Sequence, residues 1–293
     1  MQKITPFLWF NTEAEEAARF YTSLFRNSGI GTVRRYGDAG PGPKGSVMTL
    51  SFRLDGLELM ALNGGPMFTF TPALSFFVSL ESEKEIDALW DNLSKNGKVL
   101  MELGRYPFSG KFGWVQDRFG LSWQVNLGKR TQRVTPFLMY VGQHGKAEEA
   151  MQFYTSLFRN SGASFVSRFE KGEPGAVGTV KHAVFSLAGQ EFMAMDSNRD
   201  HAFTFNEAVS LFVNCETQQE VDDLWEKLSA GGVKSQCGWL KDRYGVSWQI
   251  VPTALGRLLG DPDPARSKRV MMAMLQMSKI DVALLEQAYH QHE

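Results

Sequence analysis

Apolar residues along this chain switch repeatedly between two spacings. Residues 4–10, ITPFLWF, form a short aromatic-rich run with the alternation of a strand. Asn11 and Thr12 then offer N-cap oxygens, and Glu15 and Glu16 sit where a helix dipole favours negative charge. Ala14, Ala17, Ala18, Tyr21, Leu24 and Phe25 trace one helical face, which Asn27-Ser-Gly29 ends. Three strand-like stretches follow at residues 30–36, 47–54 and 57–63, the last two joined by the hairpin pair Asp55-Gly56. A second unit of the same shape has a strand at 74–80 and a helix at 82–95 that presents Ile86, Leu89, Trp90 and Leu93. Strands near 99–102, 112–116 and 121–125 complete it, so the pattern predicts β-α-β-β-β twice.

The whole pattern then recurs. FYTSLFRNSG occurs at residues 20–29 and again at 153–162, and FTFTPALSFFVSL at 68–80 returns as FTFNEAVSLFVNC at 203–215. GWVQDRFGLSWQV at 113–125 returns as GWLKDRYGVSWQI at 238–250. A period this long is a duplicated domain, not a solenoid repeat. The expected organisation is one copy over residues 1–127, a second over 131–252, and a helical tail over 261–293 that starts at the breaker Asp261-Pro-Asp-Pro264. The apolar residues of the tail have the spacing of a helical hairpin packed on the second copy or on a partner subunit. GKVLMELGRYPFSGKFGW in copy one contracts to GGVKSQCGW in copy two, and the loop GDAGPGPKGS becomes EKGEPGAVG. Loops are where two copies diverge in what they bind.

Charge and composition exclude several classes. Lys and Arg number 31 against 32 Asp and Glu, so nothing recommends nucleic acid or an anionic membrane as partner. No apolar run is long enough to span a bilayer, and MQKITPFLWF has no signal-peptide core, so a cytoplasmic location is expected. Cys215 and Cys237 stand opposite Leu80 and Phe112 of copy one and read as small core residues. Glycine-rich phosphate loops, nucleophile elbows and Cys/His metal spacings do not occur. The five histidines are His144, His182, His201, His290 and His292, and His201 with Asp196 and Asp200 forms a candidate general-base group. Asp117-Arg118 and Asp242-Arg243 read as tight turns, DRFG and DRYG.

TPFLWF followed by EEAARFYTSLF, then LNGGP, SFFV, ALWDNL, GW, DRFGLSWQV and the closing RVMMAMLQM resemble the PhnB-like branch of the glyoxalase/bleomycin-resistance superfamily, also called vicinal oxygen chelate. The resemblance covers both copies and the tail. It implies an α+β fold in which paired β-α-β-β-β units form eight-stranded cups, with function on the concave side. Whether a cup closes within one copy or by exchange of units between copies is left open by the sequence.

Superfamily enzymes hold a divalent metal in that cup. By the resemblance, the ligand positions fall at Thr5 and Thr135, at Ala73 and Ala208, and at Gln124 and Gln249, with Glu58 and Glu191 in uncertain register. The weak metal candidates are therefore Glu58, Gln124, Glu191 and Gln249, too few for a tight site, and no cofactor is expected. What remains is an aromatic wall with a few amides and hydroxyls, suited to a small organic ligand. The pocket candidates are Thr5, Phe7, Trp9, Asn63, Phe77, Trp114 and Gln124 from copy one. Copy two supplies Thr135, Met139, His182, Asp196, Phe212, Trp239 and Gln249. The leading expectation is a small-molecule-binding protein, with a homodimer left open. The alternatives are a lyase, dioxygenase or metal-free transferase of the superfamily, and a drug- or toxin-sequestering protein. The methyltransferase label carried by the branch finds no support in a glycine-rich turn ahead of an acidic strand end.

Overall fold

The computed structural model describes residues 2–37, 42–142 and 146–291. The first unit is β1 (Ile4–Phe10), α1 (Ala14–Leu24), β2 (Gly29–Arg35), β3 (Val47–Leu54) and β4 (Leu57–Asn63). The second is β5 (Leu74–Leu80), α2 (Glu83–Ser94), β6 (Lys98–Tyr106), β7 (Ser109–Gln116) and β8 (Ser122–Leu127). Copy two begins with β9 (Val134–Val141), α3 (Lys146–Leu157), β10 (Gly162–Arg168), β11 (Val180–Leu187) and β12 (Gln190–Ser197). Its second unit is β13 (Val209–Cys215), α4 (Gln218–Ser229), β14 (Val233–Lys234), β15 (Trp239–Lys241) and β16 (Ser247–Pro252). Three helices close the chain: α5 (Thr253–Leu259), α6 (Pro264–Leu275) and α7 (Val282–His290). The first of these lies ahead of the tail that the sequence suggests.

Local chemistry explains most boundaries. Asp55 and Gly56 both take positive φ, 46° and 93°, as a two-residue hairpin turn demands. Helix α1 ends through Asn27 at φ 47° and α2 through Asn96 at φ 59°, so asparagine, not Gly29 or Gly97, adopts the left-handed turn. The cap of α1 differs from expectation. Neither Asn11 nor Thr12 caps it; Asn63 Oδ1, from the end of β4, accepts from Ala14 N at 2.9 Å. In copy two Asp196 does the same for α3, accepting from Ala147 N at 2.9 Å and from Val180 N at 2.9 Å.

The strands form two eight-stranded sheets, ordered β14-β15-β16-β13-β1-β4-β3-β2 and β10-β11-β12-β9-β5-β8-β7-β6. Each sheet joins units from different copies. In sheet one β1 runs antiparallel to β13, with Thr5 opposite Phe212; in sheet two β5 runs antiparallel to β9, with Phe77 opposite Thr135. Both sheets curl strongly. Phe77 on β5 and His182 on β11 have ring centroids 6.3 Å apart although two strands separate them. Flat strands spaced by about 5 Å would hold those rings more than twice as far apart. Phe7 on β1 and Trp239 on β15 repeat the arrangement at 6.0 Å. Each sheet is thus a cup, cup one and cup two respectively.

Each copy is held together behind its sheets. One face of most strands joins a continuous core with α1–α4, in which Ile4, Leu8, Phe52, Phe76, Trp123, Phe185 and Trp248 are fully buried. Asp117 ties the two units of copy one across that core. Its Oδ2 accepts from Tyr21 Oη at 2.7 Å and Trp123 Nε1 at 2.8 Å, while Oδ1 accepts from the Phe119 and Leu121 amides. Asp242 makes the matching bonds to Tyr154, Trp248, Tyr244 and Val246 in copy two. Burial raises both carboxyls above the ordinary range despite those donors, so DRFG and DRYG are anchors of the scaffold.

Candidate functional site

The concave faces carry the residues that alternate away from this core. Cup one gathers Thr5, Phe7 and Trp9 from copy one with Phe212, Trp239 and Gln249 from copy two. Phe7 stacks on Phe212 at 6.1 Å, and both Phe7 and Trp9 meet Trp239 edge-on at 6.0 Å. Trp9 Nε1 donates to the Gly65 carbonyl at 2.9 Å, and a Cβ on Gly64 would lie 2.3 Å from the indole, so glycine is required there. Cup two gathers Phe77, Trp114 and Gln124 from copy one with Thr135, Met139 and His182 from copy two. Phe77 stacks on Phe137 at 6.1 Å and His182 lies 5.8 Å from Phe137. Phe137, Met139, Val184 and Met193 form a buried apolar floor.

Exchange of units therefore redistributes the candidates that the sequence assigns copy by copy. Two of them face the other way. Asn63 and Asp196 lie on the helix-facing side of β4 and β12, where they cap α1 and α3, because alternation places them with Ala61 and Ala194 in the core. His201 Nε2 meets Ser197 Oγ at 2.8 Å and its ring stacks on Phe203 at 4.7 Å, while burial first and then Arg199 lower its pKa against the opposing charge of Asp200. His144 and His292 lie outside the described residues, as does part of the GDAGPGPKGS loop.

The register settles the glutamates. Glu58 and Glu191 share the concave face with Met60 and Met193, at the ends of β4 and β12. Glu191 is spent on Arg130, 2.9 Å away. The glutamines are occupied as well. Gln124 Nε2 donates to Ser75 Oγ at 2.8 Å, and Gln249 Nε2 to Ser210 Oγ at 2.9 Å. The sequence reading misses Ser75 and Ser210, although both stand two residues before Phe77 and Phe212 and so share their face. Thr135 Oγ1 turns to the Gln132 carbonyl at 3.2 Å. Alanine fills both fifth-strand positions, Ala73 and Ala208, fully buried. Among the described residues no group of three His, Cys, Asp or Glu could hold a metal ion, so the donor set does not fit the superfamily's metal.

The cups differ at the mouth. Over cup one, Val251 and Phe212 pack with Leu255, Leu258, Val270 and Leu285 of the C-terminal helices and with Ile280 between α6 and α7. The short β14–β15 connection receives this tail through Cys237 N and Gly238 N, which donate to the Met277 and Ser278 carbonyls at 2.7 and 2.8 Å. Over cup two the equivalent connection is the longer β6–β7 hairpin, whose Tyr106, Phe108 and Phe112 rings contact one another and lead to Phe77. His182 beside it has its pKa lowered to about 4, by burial first and then by Arg130, and is neutral at neutral pH. Trp114 Nε1 donates to Ser122 Oγ at 2.8 Å. In cup one Trp239 turns to the Phe7 and Trp9 rings, and Ser247 Oγ is buried without a hydrogen-bond partner among the described residues.

Two separate segments, residues 2–126 and 132–251, match the sequence profile of the family described as 3-demethylubiquinone-9 3-methyltransferase. The chain belongs to this family. The match takes in both copies and stops before the C-terminal helices. A solved structure described as a putative 3-demethylubiquinone-9 3-methyltransferase, PhnB protein, from Bacillus cereus is 50% identical over 43% of this chain and 100% of its own, with a TM-score of 0.42. Protein PA1353 from Pseudomonas aeruginosa is 26% identical over 44% of this chain and 100% of its own, with a TM-score of 0.39. Glyoxalase I from Zea mays is 11% identical, with a TM-score of 0.55 over 84% of this chain and 90% of its own, which shows a shared fold. No curated protein matches the chain. No helix among the described residues of this family member is long and apolar enough to cross a membrane.

Proposed function

We propose that the chain binds a small, uncharged, largely apolar organic molecule in cup two, without a resident metal. The observation that carries this reading is the apolar mouth of that cup. Phe165, whose ring lies 6.1 Å from that of His182, and Phe108, on the hairpin that leads to Phe77, are 52% and 64% exposed, and Val177 in the β10–β11 connection is 69% exposed. Below them Phe77, Phe137 and the neutral imidazole of His182 give a ring-walled entrance, with the Gln124–Ser75 pair as the polar contact that would fix orientation. Methyl transfer, the activity in the family's description, is not part of the proposal. The chain lacks the glycine-rich turn ahead of an acidic strand end that would receive a nucleoside cofactor.

Titration with N-phenyl-1-naphthylamine, an uncharged aromatic fluorophore, tests the reading alongside metal analysis of tag-free protein. We expect saturable 1:1 binding by the native chain. Phe165→Thr combined with Val177→Lys, which installs at exposed positions the residues that copy one carries at the equivalent places, Thr32 and Lys44, is expected to weaken it at least roughly fivefold. Unchanged affinity in that variant, or stoichiometric bound metal in the native protein, would overturn the proposal.

A further inference from the structure

The mouth of cup one carries the opposite chemistry. A cleft of about 740 Å³ lies between its β2–β3 edge and the start of the tail, lined by Thr32, Arg34, Arg35, Lys44, Asp261 and Lys268 among others. Four of these are cations and one is a carboxylate, in a chain whose formal net charge is only −1. Asp261 is already committed: its Oδ2 accepts from Tyr289 Oη at 2.5 Å and its Oδ1 from Asp263 N at 2.8 Å. The Tyr289 bond, foremost, holds its carboxyl below the usual range, so it stays ionised and engaged. Arg35 bonds the Gly45 carbonyl and has Glu15 at 4.0 Å. Arg34 spends one nitrogen on the Gly256 carbonyl at 3.1 Å, and among the described residues neither it nor Lys268 forms an ion pair with a carboxylate.

The duplication supplies an internal control. Strands β2 and β10 pair with β3 and β11 in the same register, with Arg34 opposite Thr49 and Ser167 opposite His182. Thr32, Arg34 and Lys44 therefore correspond to Phe165, Ser167 and Val177. The same three positions of one fold carry hydroxyl and cationic groups at the first mouth, and two exposed apolar groups with a hydroxyl at the second. A basic residue conserves no scaffold role here, since the other copy folds identically without it. Clustered cations facing a concavity raise the local concentration of anions, and a guanidinium can grip an oxyanion with two parallel bonds.

We propose that this cleft binds a small oxyanion-bearing molecule, phosphorylated or polycarboxylated, held between Arg34 of the sheet and Lys268 of α6. Because those groups belong to the cup and to the tail that covers it, a bound anion also clamps the tail in place. The site is separate from cup two, and neither proposal depends on the other.

Calorimetric titration and thermal melts at low ionic strength with inorganic phosphate, pyrophosphate and citrate test it. Binding of at least one anion, with a rise in melting temperature that added sodium chloride abolishes, is expected. A preference for pyrophosphate identifies phosphoryl ligands and a preference for citrate identifies carboxylates; either supports the proposal. Lys268→Gln, at an exposed position with no partner among the described residues, is expected to weaken binding roughly tenfold. Arg34→Ser, the residue of the other copy, is expected to weaken it further. Lys84→Gln, on α2 behind the other sheet, serves as control and is expected to leave affinity unchanged. The proposal fails if no anion binds, if Lys268→Gln binds as the native chain does, or if the control loses as much.

Discussion

Gln190 shows how a single side chain records the divergence of the copies. Its equivalent in copy one is Leu57, buried in the core at the start of β4. In copy two both amide atoms of Gln190 are buried with no hydrogen-bond partner among the described residues. A buried amide without a partner costs about 1–3 kcal/mol, whereas leucine at this position has a working precedent in the same chain. Gln190→Leu is therefore expected to stabilise the protein by about 1 kcal/mol or more, read as a higher midpoint in urea unfolding. A lower midpoint would show that Gln190 has a partner, such as an internal water. Asn63 and Asp196 teach the opposite lesson about residues. As polar groups at strand ends they look like site residues in the sequence, yet each caps a helix that starts far away in the chain. Alternation places them on the core face, and only the position of the helix supplies the donor.

Elements that repeat were readable, and elements that do not repeat were less so. The hairpin turns, the faces of α1–α4 and the strands that carry the rings follow from apolar spacing and from Asp-Gly and Asn-Gly signals. The β6–β7 hairpin extends further than its Gly- and Pro-bearing sequence suggests, since pairing along β7 extends the strands to Tyr106 and Ser109. Helix α5 carries no start signal in the sequence, because its seven residues follow a strand without a breaker. The tail is the element with the clearest consequence. Val270, fully buried in the small cluster over Phe212 and Val251, anchors α6 to the mouth of cup one. Val270→Asp places an unpaired charge there and is expected to release the tail while both sheets persist. The measurements are limited proteolysis, with new cleavage near residues 260–263, and increased binding of an apolar dye. Retained resistance to protease would mean that the backbone bonds to Cys237 and Gly238 hold the tail alone.

At the scale of the whole molecule, the exchange of units ties the copies into one structure. The β1 edge of copy one is completed by β13, and its β5 edge by β9, both from copy two. A fragment of residues 1–127 would present two open sheet edges with apolar faces, which seek partners. That fragment is expected to be dimeric by light scattering, each cup formed from two chains; a folded monomer would show that units of one copy can close on each other. The sequence by itself determined the repeated β-α-β-β-β unit and the core face of its elements, because these depend on spacing and residue type within a few tens of residues. It could not decide which units share a sheet, because every unit offers the same edge and the same pattern to two alternative partners. Tertiary structure made that choice, and with it which aromatic rings share a cup, which glutamine meets which serine, and which mouth the tail covers. Each cup is filled by residues from both copies, so neither copy's sequence alone describes a site.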